Sequence, residues 1–117
     1  MTITRLKTNK RMSQAVVHGG VVYTAGQVAL NTPGESIREQ TTSILAEIDN
    51  LLSEAGSDKS RLLSATIWLS SMAHFAEMNE VWDAWVVAGE TPARACVEAK
   101  LATPDFDVEI AVIAALS

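Results

Sequence analysis

The chain contains one cysteine, three prolines and no apolar run long enough to cross a membrane. Its single cysteine, Cys96, cannot form an internal disulfide, which excludes a disulfide-stapled scaffold and fits a reducing compartment. A membrane-spanning helix needs roughly 18 consecutive apolar residues, and residues 1–10 alternate polar and apolar types without the core of a signal peptide. These absences predict a soluble, cytoplasmic protein.

Basic residues are few and scattered. Nine Lys and Arg against fourteen Asp and Glu give 9 − 14 = −5, so no nucleic-acid partner is expected. The candidate metal ligands His18, His74 and Cys96 lie far apart in the sequence, and the glycines fit neither phosphate-loop nor dinucleotide spacing. We therefore expect neither a metal nor another cofactor.

A length of 117 residues suits one domain, and the patterning divides residues 1–117 into six strands and two helices. The predicted elements are a weak strand at 2–6, a hairpin of strands 13–17 and 21–25 around Gly19 and Gly20, a helix at 36–55, a strand at 63–69, a helix at 73–87, and strands at 91–101 and 108–116. This content predicts an α+β fold with a six-stranded mixed sheet.

The first helix has the clearest signal, because apolar residues recur at steps of three and four with Ser36 as N-cap and Gly56 at the C-terminal end. Its predicted buried stripe is Ile37, Thr41, Ile44, Leu45, Ile48, Leu51, Leu52 and Ala55. The second helix carries a stripe that favours a core face over a cofactor site: Phe75, Met78, Trp82, Trp85 and Val86.

The strand at 91–101 begins at Pro92 and alternates, with Arg94 and Cys96 on one face and small apolar residues on the other. This predicts a half-buried strand. A planar guanidinium on a rigid strand is a suitable clamp for a carboxylate, although an ordinary surface arginine is the alternative. The Cys96 thiol is interpreted as buried or a spectator: either histidine could act as its base in the folded chain, but nothing in the sequence argues for that.

Glu109 is the only charge in the apolar run 108–116, which predicts a central strand buried on both faces. A carboxylate in such a run is costly unless it is paired or its pKa is raised, so Glu109 is a candidate general acid or base. The alternative is a salt bridge from an exposed strand start to Lys100. Gly26, at the end of the second hairpin strand, is either a bulge or turn glycine or a point of close approach by a ligand or another chain.

Two helices cannot cover both faces of a six-stranded sheet. Symmetric self-association is the usual way to cover the remaining face, so we expect a homo-oligomer with any site near subunit boundaries.

Three segments resemble the RidA/YjgF family of imine and enamine deaminases. They are the C-terminal TPARACVE (91–98) with VEI (108–110), the hairpin segments SQAV (13–16) and VYTAGQ (22–27), and Asn79 in the second helix. The resemblance implies a chorismate mutase-like α+β fold, two helices on one face of the sheet, and a homotrimer with clefts between subunits.

The resemblance also implies the reaction and the residues that perform it. The reaction is cofactor-independent hydrolysis of 2-imino or 2-enamino acids to 2-keto acids and ammonia. Arg94 would bind the substrate carboxylate, the backbone of Cys96 would contact the imine nitrogen or the water, and Glu109 would deprotonate the water. The Gly26 amide and Asn79 would complete the pocket.

Two positions depart from the family pattern. The archetypal members have Gly-Pro-Tyr where this chain has Lys10-Arg11-Met12, and a serine where it has Ala25. We therefore expect a more apolar pocket around Met12 and Ala25, with a preference for imines that have larger or different side chains over 2-aminoacrylate, and Arg11 within reach of an acidic substrate group. The alternative function is a non-catalytic module that binds small carboxylates such as 2-keto acids.

The separation of Arg94 and Glu109 along the chain raises a geometric question. If strands 91–101 and 108–116 paired as a simple hairpin, Glu109 would lie opposite Lys100 and ~20 Å from Arg94. Either the two strands are not neighbours in the sheet, or one site takes Arg94 and Glu109 from different chains.

Overall fold

The computed structural model describes residues 2–117, so that Met1, the first residue of the predicted domain, lies outside the described part. The described chain forms seven strands and two α-helices. The strands are β1 (Thr4–Leu6), β2 (Ala15–His18), β3 (Val21–Thr24), β4 (Gln27–Val28), β5 (Leu62–Leu69), β6 (Ala93–Glu98) and β7 (Val108–Ala115); the helices are α1 (Ile37–Ala55) and α2 (Phe75–Trp85). The predicted α+β class, with two helices on a mixed sheet, is confirmed.

The sheet runs in the order β1-β2-β3-β7-β5-β6, and only the β5–β6 pair is parallel. Strand β4, which the sequence pattern does not predict, pairs with β7 through Gln27 and Val28, so the sheet has seven strands and not the predicted six. It is too short to show an alternation of its own. Strand β5 separates β6 from β7, so the two strands that could have formed a C-terminal hairpin are not neighbours.

The hairpin of β2 and β3 and the ends of α1 follow their predicted signals. Gly19 and Gly20 have φ of 60° and 78°, as a two-residue turn of the type favoured in hairpins requires. The Ser36 Oγ accepts a hydrogen bond from the Glu39 N–H at 3.1 Å, and Gly56 closes the helix at φ 88°. Helix α2 is shorter than predicted, because residues 72–74 form a 3-10 turn and the helix ends at Trp85.

One face of the sheet packs against both helices. Strand β7 turns every second residue into this core, while Glu109, Ala111 and Ile113 are only half buried on the opposite side. The prediction that this strand is buried on both faces is therefore wrong for the single chain, because both helices lie on the same side. We call the uncovered side the outer face: Tyr23, Ser64, Thr66, Trp68, Val97, Glu109, Ala111 and Ile113.

Strand β6 is an edge strand, and the prediction of a half-buried strand is wrong for the single chain, because only Cys96 of its six residues is half buried. Its apolar side belongs to the outer face, where Val97 is 46% exposed, whereas Cys96 is half buried against the core. The side that carries Arg94 and Cys96 points towards α2. Among the helices of the described chain, none combines the length and apolar character that a membrane span requires.

Candidate active site

Arg94 lies on the helix side of β6, because its register partner on β5 is the buried Ala65. Its Nη1 donates a hydrogen bond to the Asn79 Oδ1 at 2.8 Å. Its Cζ lies 5.8 Å from the centroid of the Phe75 ring and 5.5 Å from that of Trp82. The guanidinium is thus held by side chains of α2 alone.

No carboxylate within residues 2–117 forms a salt bridge with Arg94; the ion pairs found there join Lys7 to Glu47 and Glu54, and Arg38 to Glu80. The side chain is exposed. An exposed cation without an internal counterion is free to bind an anion with its remaining N–H groups. This geometry favours the clamp over an ordinary surface arginine.

Helix α2, which holds the guanidinium, is fixed at both flanks. The Glu98 Oε1 on β6 accepts a hydrogen bond from the Met72 N–H at 2.9 Å, in the turn that leads into α2. On the other flank the Arg38 N–H, in the first turn of α1, donates to the Glu77 Oε2 at 3.0 Å. The Arg38 side chain also pairs with Glu80. Arg94 is therefore held between two elements whose relative position is itself fixed.

The thiol of Cys96 faces the same side as Arg94. Its burial raises the pKa of Cys96, and the nearby charge of Arg94 opposes that shift. The thiol therefore stays protonated at neutral pH, which favours the interpretation that it is not a nucleophile.

Glu109 lies on the outer face, with Val28 of β4 and Trp68 of β5 as its register partners. Burial raises the pKa of its carboxyl group. The alternative salt bridge to Lys100 is not found in the described part of the chain, and no donor among residues 2–117 hydrogen-bonds the carboxylate. Glu109 thus has a raised pKa, and within the described chain its carboxylate oxygens have no hydrogen-bond donor, as expected of a candidate acid or base.

Gly26 makes room for the Glu109 carboxylate. A Cβ built on Gly26 would lie 2.9 Å from the Glu109 Cδ and would overlap Oε2. The close approach predicted at this glycine is therefore made by a side chain of the same protein. Gly26 is one of two irregular residues between β3 and β4 and does not lie in a turn.

Ala25 follows β3 directly, and Met12 lies in the loop that precedes β2, so both are at the end of the β2–β3 hairpin opposite its turn. The Ala25 N–H donates to the Gln14 carbonyl at 2.8 Å, and the Gln27 Nε2 donates to the Gln14 Oε1 at 2.9 Å. Met12 is 41% exposed in the β1–β2 loop, whose turn is closed by two 2.9 Å hydrogen bonds between Asn9 and Met12. Sequence reasoning did not identify the amide pair of Gln14 and Gln27, which has no spacing signal.

The predicted site residues fall into two groups within one chain. Arg94, Cys96 and Asn79 lie on the helix side at the edge of the sheet, whereas Glu109 and Gly26 meet at its outer face. Arg94 lies two strands away from Glu109, which is about 10 Å across the sheet, and three residues away along the strand direction, which is also about 10 Å. The two side chains point to opposite faces of the sheet. One chain alone cannot bring both onto one small molecule.

A cavity of about 540 Å³ lies at the end of β6 and along the 99–106 loop. Neither Arg94 nor Glu109 lines this cavity. A smaller cavity of about 180 Å³ lies on the outer face beside Tyr23, Ser64 and Thr66. No group of three metal-ligating side chains occurs in the part of the chain that the structure describes.

Comparisons with known proteins agree on one family. The family model described as endoribonuclease L-PSP matches residues 2–116. The RutC family protein YoaB of Escherichia coli is 45% identical over 116 residues, which cover 99% of this chain and 100% of that protein. A RutC family protein of Haemophilus ducreyi is 42% identical over 115 residues, covering 98% of this chain and 97% of that one.

A solved structure gives the same result in three dimensions. The crystal structure of a YjgF family member from Neisseria meningitidis superposes with a TM-score of 0.96 at 50% identity, covering 100% of this chain and 97% of the other. The resemblance inferred from the three sequence segments is thereby confirmed. The chain belongs to the endoribonuclease L-PSP family, whose similar members carry the RutC and YjgF names.

Proposed function

We propose that the protein hydrolyses 2-imino acids and their 2-enamino tautomers to 2-keto acids and ammonia, without a cofactor. The observation that carries the proposal is the Arg94 guanidinium, which is held rigidly by α2 and has no carboxylate partner in the described chain. A 2-imino acid presents its carboxylate next to the reacting carbon. A clamp on that carboxylate therefore also fixes the position of the C=N bond.

Glu109 would supply the proton transfers. Its carboxylate takes a proton from water as the water oxygen bonds to C2, and it passes that proton to the imine nitrogen as the C=N bond opens to an amine. The resulting carbinolamine then loses its hydroxyl proton to Glu109, which returns this proton to the nitrogen as the C–N bond breaks, so that ammonia and the 2-keto acid are released. The backbone of Cys96 would contact the nitrogen or the water, because β6 is the last strand of the sheet and an edge strand has backbone N–H and C=O groups that no neighbouring strand pairs with. The Gly26 amide would serve as a further donor.

The site we propose lies between two copies of the chain in a homotrimer. Arg94 and Glu109 lie on opposite faces of the sheet, so each must meet the other residue from a neighbouring copy. The outer face, with Tyr23 45% exposed and Val97 46% exposed, provides the apolar surface that such an assembly buries.

The substrate is proposed to be an imine with a side chain larger than that of 2-aminoacrylate. Met12 and Ala25 lie near the Glu109 end of the proposed site. Met12 places an apolar side chain where archetypal members have a tyrosine phenol, and Ala25 places a methyl group where they have a serine hydroxyl. Arg11, exposed beside Met12, could meet an acidic group of the substrate.

A carboxylate-binding module is the second candidate. The observation that favours it is that α2 of the same chain supplies the contacts that hold Arg94. Carboxylate binding by Arg94 therefore does not require Glu109. The family description also names an endoribonuclease. A net charge of −5 with scattered basic residues does not favour RNA as the substrate.

Steady-state rates on a panel of imines, generated in situ by an amino-acid oxidase, test the proposal. We expect 2-keto acid formation to be accelerated, most strongly for side chains larger than that of 2-aminoacrylate. Tight 2-keto acid binding without any acceleration would favour the binding module. Cleavage of an RNA substrate in place of imine hydrolysis would contradict both. A clear preference for 2-aminoacrylate would contradict only the proposed specificity.

Gly26→Ala should lower kcat about 10- to 100-fold, because the new methyl group would push the Glu109 carboxylate out of its position. The φ of Gly26 is not in the left-handed region, so the backbone tolerates alanine. Gly20→Ala is the matched control, since a Cβ there meets no neighbouring atom. Because Gly20 has a positive φ, this variant should lose some stability, but its kcat should remain at the wild-type value. Wild-type kcat in Gly26→Ala would show that the carboxylate position is not critical.

A further inference from the structure

We propose that Phe75 and Trp82 are positioning residues that hold the Arg94 guanidinium in its binding orientation. With Asn79 they form what we call the guanidinium cradle: Phe75, Asn79 and Trp82. The inference rests on the proposed function in treating Arg94 as a carboxylate clamp, and adds the residues that preorganise it.

The cradle is one stripe of α2. Its residues follow at steps of four and three, which places their side chains on the same helix face. That face is turned to β6, where Arg94 reaches the two ring centroids at 5.8 and 5.5 Å and the amide oxygen at 2.8 Å. Aromatic faces attract a guanidinium through their quadrupole, so both rings favour this orientation over others.

The chemistry of the cradle leaves the cation available. Two rings and one neutral amide hold the guanidinium without cancelling its charge, whereas an aspartate at position 79 would form an ion pair and compete with a bound carboxylate. Asn79 uses one N–H of Nη1, so the other donors can form a bidentate pair.

Preorganisation matters here because Arg94 is exposed. A free arginine side chain samples many rotamers, and ordering it on binding would weaken the affinity. The cradle fixes the rotamer before the ligand arrives. Trp82 is only 4% exposed and belongs to the core, whereas Phe75 is 36% exposed. Phe75 is therefore the member that can be replaced without opening the core.

The test compares Phe75→Leu, which removes the ring but keeps an apolar side chain, with Phe75→Tyr, which keeps the ring. Binding of pyruvate and of its neutral methyl ester is measured for both variants in the assembled protein. We expect Phe75→Leu to weaken pyruvate binding about 3- to 10-fold and Phe75→Tyr to retain wild-type affinity. Methyl pyruvate should bind equally to all three proteins. In turnover, Phe75→Leu should raise KM with little change in kcat.

Side-chain NMR gives a readout independent of activity. Arg94 protons next to the rings should show ring-current shifts in the wild type and in Phe75→Tyr, and smaller shifts in Phe75→Leu. Equal pyruvate affinity in all three proteins, or equal weakening for both ligands, would overturn the inference while leaving the proposed function intact. A wild type that binds no carboxylate and hydrolyses no imine would overturn the proposed function, and the positioning role with it.

Discussion

Arg94→Ala should lower kcat/KM for 2-imino acids about 100- to 1000-fold, while the oligomer and its thermal stability stay close to wild type. The side chain is exposed and its guanidinium covers the Phe75 and Trp82 rings of α2, so its removal uncovers part of these rings but leaves no cavity in the core. The substrate carboxylate would lose its only fixed counterion in the site, a loss of ~3–4 kcal/mol in transition-state binding. Steady-state kinetics together with size-exclusion chromatography measure both parts.

Two further variants make this result specific. Arg94→Lys keeps the charge but loses the planar fork, so it should recover only part of the activity. Arg61→Ala removes another exposed arginine, whose Nε donates to the Leu116 carbonyl far from the site, and should keep full activity. If Arg94→Ala turned over imines at the wild-type rate, the carboxylate clamp would be wrongly assigned.

Glu109→Gln should lower kcat about 10²- to 10⁴-fold and change KM less than about threefold. The amide fills the same space beside Gly26 but cannot accept the proton of the attacking water. Single-turnover and steady-state rates separate the chemical step from binding. An unchanged kcat would exclude Glu109 as the base.

The same residue gives a pH dependence. As a base Glu109 must be ionised, and burial raises its pKa, so kcat/KM should fall with decreasing pH at a higher pH than an ordinary glutamate would produce. This acidic limb should be absent from the residual activity of Glu109→Gln.

Glu109→Gln should gain thermal stability at neutral pH although it loses activity. A raised pKa in the folded state means that folding favours the protonated form, so the stabilising contribution of Glu109 is present below its unfolded pKa and lost as pH rises through the folded one. At pH 7 Glu109→Gln should therefore have a higher Tm than the wild type. The difference should disappear towards pH 4, and a lower Tm at neutral pH would mean that the carboxylate is stabilised by a partner.

Local structure could be predicted from the sequence where neighbouring residues determine it. Helix α1 was predicted because the periodic stripe, the Ser36 cap and Gly56 all act within a few residues, and the Gly19-Gly20 turn likewise determines the hairpin. Gln40 is buried in α1 but is not part of the predicted stripe. Its amide is fully buried because it donates to the Glu35 and Asp105 carbonyls and accepts from the Asp107 N–H, partners that only the folded loop supplies.

Strand order could not be predicted in the same way. The alternation at 91–101 identifies a strand but not its neighbour, and the parallel pairing of β6 with β5 depends on the long connection through α2. Which of its faces would be covered also depended on both helices lying on one side. For the same reason the sequence does not indicate the guanidinium cradle, although Phe75 and Trp82 belong to the stripe assigned to the core and Asn79 to the family resemblance. The family resemblance indicated Arg94, Glu109 and Asn79, but not what orients them.

The topology sharpens the question of whether one site takes residues from two chains. Strand β5 lies between β6 and β7, so the non-neighbour alternative is correct, and a site that used both Arg94 and Glu109 would take them from two copies because they lie on opposite faces. The two explanations are therefore compatible, and a shared site needs both.

Complementation between two inactive variants tests this central claim most directly. Arg94→Ala and Glu109→Gln chains carrying different affinity tags are co-expressed, and oligomers that contain both are isolated. If each site combines Arg94 of one copy with Glu109 of the next, every mixed trimer should have one intact site, and activity should rise to about one third of the wild-type value. If both residues acted from the same chain, every site would carry a defect, and the mixed oligomers would show no more than the residual activity of the two variants.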